Sequence, residues 1–280
     1  MKKFLALTLS VLMLAALVLP MTSCSDANTL VVCNWGEYMS TGADCDYDVI
    51  KEFEKTTGIR VKYVTAESNE ALYSKMKTGS GKYDVIFPSD YMAERMINEG
   101  MLAEINYDNV PNYANIMDNW KGLDYDPDSK YTVPYFWGTV GLIYNEKMLT
   151  KEDLALVEEC RDWSILWSKN YPKQIMMFDN PRDAFAIAQS ILGMDFNNES
   201  EVSWRVAAEL LKEQKSISPA YVNDEIFLKM ESGEAALAPY YAGDFLTMQE
   251  NNPDLAFVYP KEGVNFFVDA ACILKEAQNK

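Results

Sequence analysis

The run YTVPYFWGTVGLIYN, residues 131–145, constrains the fold more than any other stretch. Its Tyr, Phe, Trp, Val and Ile content reads as extended chain. It is too long for one ordinary strand, and Pro134, Gly138 and Gly141 interrupt it. A crossing between two lobes has this character. Before it, LVVCNW (30–35), IRVKYVTA (59–66) and YDVIFPS (83–89) read as strands. They alternate with helices over 48–58, 69–79 and 90–100. In the first helix Val49, Ile50 and Phe53 share a face and Gly58 is the stop. Such alternation predicts an α/β lobe with a largely parallel sheet.

A second alternation follows the crossing. QIMMFDN (174–180) is predicted as a strand and 181–193 as a helix, with Asn180 as N-cap and Pro181 in its first position. Helices are expected over 203–215 and 225–233, and strands over 234–243 and 254–260. NFFVDAACIL (265–274) then returns towards the first lobe. The chain therefore reads as two α/β lobes, residues 30–134 plus 267–280 in one and 135–266 in the other. Ligands of such folds sit at the C-terminal ends of strands.

The N-terminus carries Lys2 and Lys3, an apolar stretch from Phe4 to Met21, then Thr22, Ser23 and Cys24. This is the pattern of an export signal. MTSC resembles a bacterial lipobox, with Met21 where Leu is more usual, so 1–23 is expected to be a signal peptide and Cys24 a lipidated N-terminus. A plain transmembrane anchor is the rival reading, but no basic stop-transfer cluster follows. Residues 24–29 form a polar tether. Cys33 and Cys45 are close enough in sequence to pair, although Cys33 and Cys272 read more simply as buried thiols in apolar strands.

The chain has no histidine, which excludes Ser-His-Asp and Cys-His nucleophile systems and argues against a zinc site. Its 42 acidic against 25 basic residues, a net charge of −17, disfavour nucleic acid as a partner. TGSGKY (78–83) lacks the first Gly and the Ser/Thr of a P-loop. The runs 124–135 and 44–55 start like calcium loops but lack the Gly and the closing Glu, and read as solvated loops and caps.

Five strand ends combine aromatics with carboxylates. They are Trp35, Glu37 and Tyr38; Ser89, Asp90 and Tyr91; Asp179, Asn180 and Asp183; Tyr240, Tyr241 and Asp244; and Phe266, Phe267 and Asp269. Singly, these read as helix caps and core. Together they suggest a cleft for an elongated organic cation, whose methylenes lie on aromatic faces and whose ammonium groups meet carboxylates. Asp269 stands out as an acid inside an apolar strand, costly unless something cationic or a donor meets it. An exported carboxylate-dependent hydrolase is the enzymatic alternative.

The blocks NWGEY, SNEALYSKMKTG, YDVIFPSDYMAERMINEGML, VPYFWGTVGLIYN, DNPRDAF and YPKEGVNFFVD, in this order, resemble the spermidine/putrescine-binding proteins of bacterial ABC transporters. The resemblance runs from Leu30 to the end of the chain. It implies a two-lobed periplasmic-binding-protein-like fold of type II, no enzymatic activity, no cofactor or metal, and a monomer. It also implies delivery of a polyamine to permease subunits at the outer face of the cytoplasmic membrane. By the same resemblance Trp35 and Tyr38 line the polyamine chain, Glu37 and Ser89 lie near one amine, and Tyr91 is a further wall. Asp183 would meet a terminal amine and Asp269 an internal or second one. Asn180 stands where an Asp is common; Tyr241 and Phe267 stand where many members have Trp; Asp90 and Gly36 fall at variable positions. These departures keep another small cationic amine open as the ligand. Family members also continue past the position of Lys280 with helices that complete the first lobe. Their absence would leave an apolar face there.

Overall fold

The computed structural model describes residues 28–36, 38–43, 47–79, 82–218 and 220–279. The export signal, Cys24, Glu37 and Cys45 lie outside the described residues. In chain order the elements are β1 (Thr29–Asn34), α1 (Val49–Thr57), β2 (Arg60–Thr65), α2 (Asn69–Lys77), β3 (Val85–Ile86) and α3 (Asp90–Asn98). Then come β4 (Thr132–Asn145), α4 (Lys151–Cys160), β5 (Met177–Phe178), α5 (Pro181–Ile191), α6 (Glu201–Lys215), β6 (Tyr221–Val222) and α7 (Glu225–Glu231). The chain closes with β7 (Leu237–Tyr241), α8 (Ala242–Asn251), β8 (Leu255–Val258) and β9 (Phe266–Ile273).

Two lobes share the long strand. The main sheet has the order β2-β1-β3-β9-β4-β7, with β8 also on β4. Residues 132–139 of β4 pair antiparallel with β9, whereas residues 140–145 pair antiparallel with β7 and β8. The expected parallel sheet is confined to β2, β1 and β3. Strands on the crossing side run antiparallel because the chain leaves one lobe along β4 and returns along β9. In the second lobe the parallel pairing is limited to β5 with β6 and an Ile175–Leu237 bridge.

Local chemistry sets most boundaries. Asp48 accepts from Lys51 N at the start of α1, and Gly58 ends it in the left-handed region at φ 71°. Ser68 caps α2 and Asn180 caps α5, which has Pro181 in its first turn. The predicted strand 174–180 keeps only Met177 and Phe178, and the one at 234–243 stops at Tyr241. Ala242 begins α8, a helix the strand-like reading of YYAGD did not anticipate, as Phe245 and Met248 turn into the second core. Helix α4 was likewise unforeseen, although Thr150 accepts from Asp153 N as its N-cap.

The second lobe is centred on Leu142, Ile143, Trp163, Leu166 and Phe178; the first on Cys33, Leu72, Ile86, Met92, Met96 and Cys272. Cys33 and Cys272 are free, buried thiols, so the reading that favours core packing holds for both. Helix α1 fully buries none of its residues and leaves Val49 and Phe53 exposed.

The turn that launches β4 sharpens the reading of residues 124–135 as a solvated loop with caps: the capping acid is buried. Asp126 is 5% exposed. Its carboxylate accepts from Lys130 N at 3.0 Å, Tyr131 N at 2.9 Å, Thr132 N at 3.0 Å and Thr132 Oγ1 at 2.9 Å. A carboxylate meeting that many donors fixes the chain's entry into the crossing. Asp126→Ala leaves these donors without their acceptor and is expected to destabilise the fold by about 3 kcal/mol in chemical denaturation. A loss below about 0.5 kcal/mol would show that the turn holds without it.

Candidate functional site

A cavity of about 750 Å³ opens where strand ends from both lobes meet β4 and β9. The end of β1 brings Trp35 and Tyr38 to its wall. The end of β3 and the start of α3 bring Ser89, Asp90 and Tyr91. The start of α5 brings Asn180 and Asp183, the end of β7 brings Tyr241, and β9 brings Phe267 and Asp269. All these sequence-predicted residues line one cavity; Glu37 lies outside the described residues. Asp179 is not in its wall; its backbone N–H bonds Val222 O in the small β5–β6 pairing.

A bulge sets the geometry around Asp269. In the β4–β9 ladder Pro134 faces Ala270 and Phe136 faces Asp269, so Tyr135 is the extra residue. Pro134 has no N–H to give the ladder, which suits it to such a break. Tyr135 is thereby directed onto Tyr38: its hydroxyl donates to Tyr38 O at 2.7 Å and the rings lie 6.3 Å apart. Tyr38 in turn donates its hydroxyl to Asp269 Oδ2 at 2.6 Å. Asp269 Oδ1 is buried and has no hydrogen-bond partner among the described residues. Ser89 is bridged to Asp269, and its hydroxyl accepts from Asn69 Nδ2 at 2.8 Å.

Asp269 is 2% exposed. Burial pushes its carboxyl from 3.8 up to about 6; Ser89 and Tyr38 offset part of the rise and Asp90 adds to it. Burial, with the Asp269 charge second, pushes the Tyr38 phenol well up, so it remains a donor at any physiological pH.

Asp183 has a different environment. Its Oδ1 accepts from Asn265 Nδ2 at 2.7 Å and its Oδ2 from Asn180 Nδ2 at 2.8 Å, with Tyr241 OH at 3.4 Å. Burial raises this carboxyl to about 6 as well, against the pull of Asn265, Tyr241 and Arg182. Asn180 thus orients Asp183 while its own carbonyl caps α5 through Arg182 N. Asp90 is committed to backbone: Oδ1 accepts from Tyr91 N at 2.6 Å and Oδ2 from Val268 N at 3.1 Å, holding β9 to α3.

The walls are aromatic. Phe267 meets Tyr241 edge-on at 5.5 Å. It lies over Gly138, where a Cβ would come within 2.5 Å of its Cζ, so glycine is needed for this close approach. Sequence reasoning missed Phe136, Trp137, Asn265 and Arg182 as lining residues, although the aromatic run in the crossing strand was a readable signal for the first two. Trp137 is 56% exposed and stacks on Trp120 at 5.3 Å. Among the described lining residues there are eight carboxylates and a single cation, Arg182.

The raised carboxyl has a stability consequence. Between pH about 4 and about 6 the folded state holds a proton on Asp269 that the unfolded chain has lost. Stability therefore falls as pH rises through that window, by about 3 kcal/mol for this group. Asp269→Asn removes the penalty while keeping an acceptor for Tyr38. The ligand-free variant is expected to melt above the wild type at pH 7.5, with the gap closing at pH 4. A variant melting below the wild type at pH 7.5 would contradict the assignment.

Comparison with known proteins agrees with this architecture. Residues 48–280 match the family described as bacterial extracellular solute-binding protein. The spermidine/putrescine-binding periplasmic protein of Salmonella typhimurium is 31% identical over 257 residues, covering 91% of this chain and 70% of the relative. The putrescine-binding periplasmic protein PotF of Escherichia coli is 30% identical over 285 residues, covering 92% and 72%. The spermidine/putrescine ABC transporter substrate-binding protein PotD from Streptococcus pneumoniae superposes with a TM-score of 0.67 at 31% identity, covering 90% of this chain and 74% of that one. The Tp0655 (TpPotD) lipoprotein of Treponema pallidum gives 0.75 at 27%, covering 90% and 76%. The fold is the two-lobed type II periplasmic binding protein fold, and the chain belongs to the bacterial extracellular solute-binding protein family.

Proposed function

We propose that this protein captures a polyamine, putrescine or spermidine, in the cleft between its lobes and delivers it to the permease of an ABC transporter. The observation that carries this reading is the buried, unpartnered Oδ1 of Asp269 in an aromatic-walled cavity rich in carboxylates. Polyamine amines are protonated at neutral pH, like lysine. An ammonium group at Oδ1 supplies the donor this oxygen lacks and relieves the cost of burying the charge. Methylene segments then lie against Trp35, Tyr38, Tyr241 and Phe267, with Tyr91 as a further wall, and cation–π attraction adds about 0.5–2 kcal/mol per well-placed ring. Ser89, bridged to Asp269, flanks the same amine, while Asp183, with Asn180 and Asp90 orienting the acids and strands, serves the other. The relatives named for these ligands support the choice of polyamine over other cations.

In this reading one lobe comprises 30–134 and 267–280, the other 135–266, and the lobes close by rotation about β4 and β9. Processing at Cys24 tethers a monomer to the outer face of the cytoplasmic membrane, with 24–29 as the tether. Titration calorimetry tests the ligand assignment. Putrescine or spermidine should bind, glucose and neutral amino acids should give no heat, and Asp269→Ala should weaken binding at least about a hundredfold. A folded protein that releases no heat with either polyamine would overturn the assignment.

A further inference from the structure

We infer that Arg182 is a specificity-determining residue of the cleft: a resident cation that occupies the Tyr91 face, opposes additional ligand ammonium groups there and links the two lobes. The inference rests on the amine-binding reading of the same cavity.

Arg182 sits in the first turn of α5, on the second lobe, and Tyr91 in the first turn of α3, on the first lobe. Across the cleft the guanidinium carbon lies 5.1 Å from the centroid of the Tyr91 ring. That is cation–π distance, so the positive group occupies the aromatic surface an ammonium would use. The ring is held by its hydroxyl, which donates to Glu70 Oε1 at 3.0 Å. The charged groups facing this point are Asp90 on α3, Glu70 on α2 and Asp183 on α5. Arg182 offsets part of the burial penalty on Asp90 and on Asp183. It is also the one cation among the described residues lining the cavity.

Two consequences follow from elementary electrostatics. Each ammonium a ligand adds to the cleft is repelled by a guanidinium already in place, so the residue works against the more highly charged ligand. Spermidine carries three ammonium groups and putrescine two, so spermidine bears the larger penalty. A contact made from one lobe onto the other also biases the ligand-free protein away from its most open arrangement.

Arg182→Gln and Arg182→Lys, compared with the wild type, test both consequences. Calorimetry with each amine gives the ratio of spermidine to putrescine affinity. Arg182→Gln is expected to shift this ratio towards spermidine about fivefold or more, and Arg182→Lys to stay near the wild type. Small-angle scattering of the ligand-free proteins is expected to give a larger radius of gyration for Arg182→Gln than for the other two. An unchanged ratio, or both amines altered by the same factor, would overturn the charge-exclusion role. If the wild type binds neither amine, the polyamine reading fails, and scattering then decides the lobe contact alone: equal radii for wild type and Arg182→Gln would overturn it.

Discussion

The cleft depends on one carboxylate held where it costs free energy. Asp269 lies on β9, paired with β3 on one side and with β4 on the other, so its backbone has little room to move. Raising a carboxyl to about 6 corresponds to about 3 kcal/mol of penalty on the charged form. Ser89 and Tyr38 offset part of it, Tyr38 through Oδ2, and Oδ1 is left without a hydrogen bond. A strand so constrained cannot relax the strain by turning the side chain to solvent. The arrangement makes sense for a site that a cationic ligand completes, and it explains why the surroundings, from the Tyr135 bulge to the Tyr38 hydroxyl, serve to position one group.

The second acid shows how different two superficially similar carboxylates can be. Asp183 is buried to nearly the same degree and raised to a similar value, yet donors meet both of its oxygens. Its lobe supplies these donors, whereas Asp269 gets its donor from Tyr38, beyond the end of β1. The cleft thus holds one acid already satisfied and one awaiting a partner, with Arg182 reaching across to Tyr91. Selectivity in such a cleft rests on counting charges as much as on matching lengths.

Much of this was legible in the sequence. The length of the 131–145 run predicted the crossing, because no single small sheet can use so long a strand. The acid within NFFVDAACIL predicted a burial problem, because its neighbours on both faces are apolar. The resemblance located ten of the described positions that line the cavity. What the sequence could not show depends on partners far along the chain. The bulge at Tyr135 exists only because β9 returns beside β4, and the saturation of Asp183 needs Asn265, 82 residues away. Helix α8 was missed because Gly243 and the preceding Tyr pair read as strand end, while the packing of Phe245 and Met248 against the second core decided otherwise. Arg182, within DNPRDAF, takes its meaning from a ring far along the chain, Tyr91 on the opposite lobe.

The most direct test of the account is a crystal structure of the protein grown with putrescine. The account predicts a primary ammonium within hydrogen-bond distance of Asp269 Oδ1, with Tyr38 still donating to Oδ2 and the methylene chain lying between the aromatic walls. A ligand bound outside the cleft, or an Asp269 Oδ1 occupied by a protein donor while putrescine sits elsewhere, would contradict it.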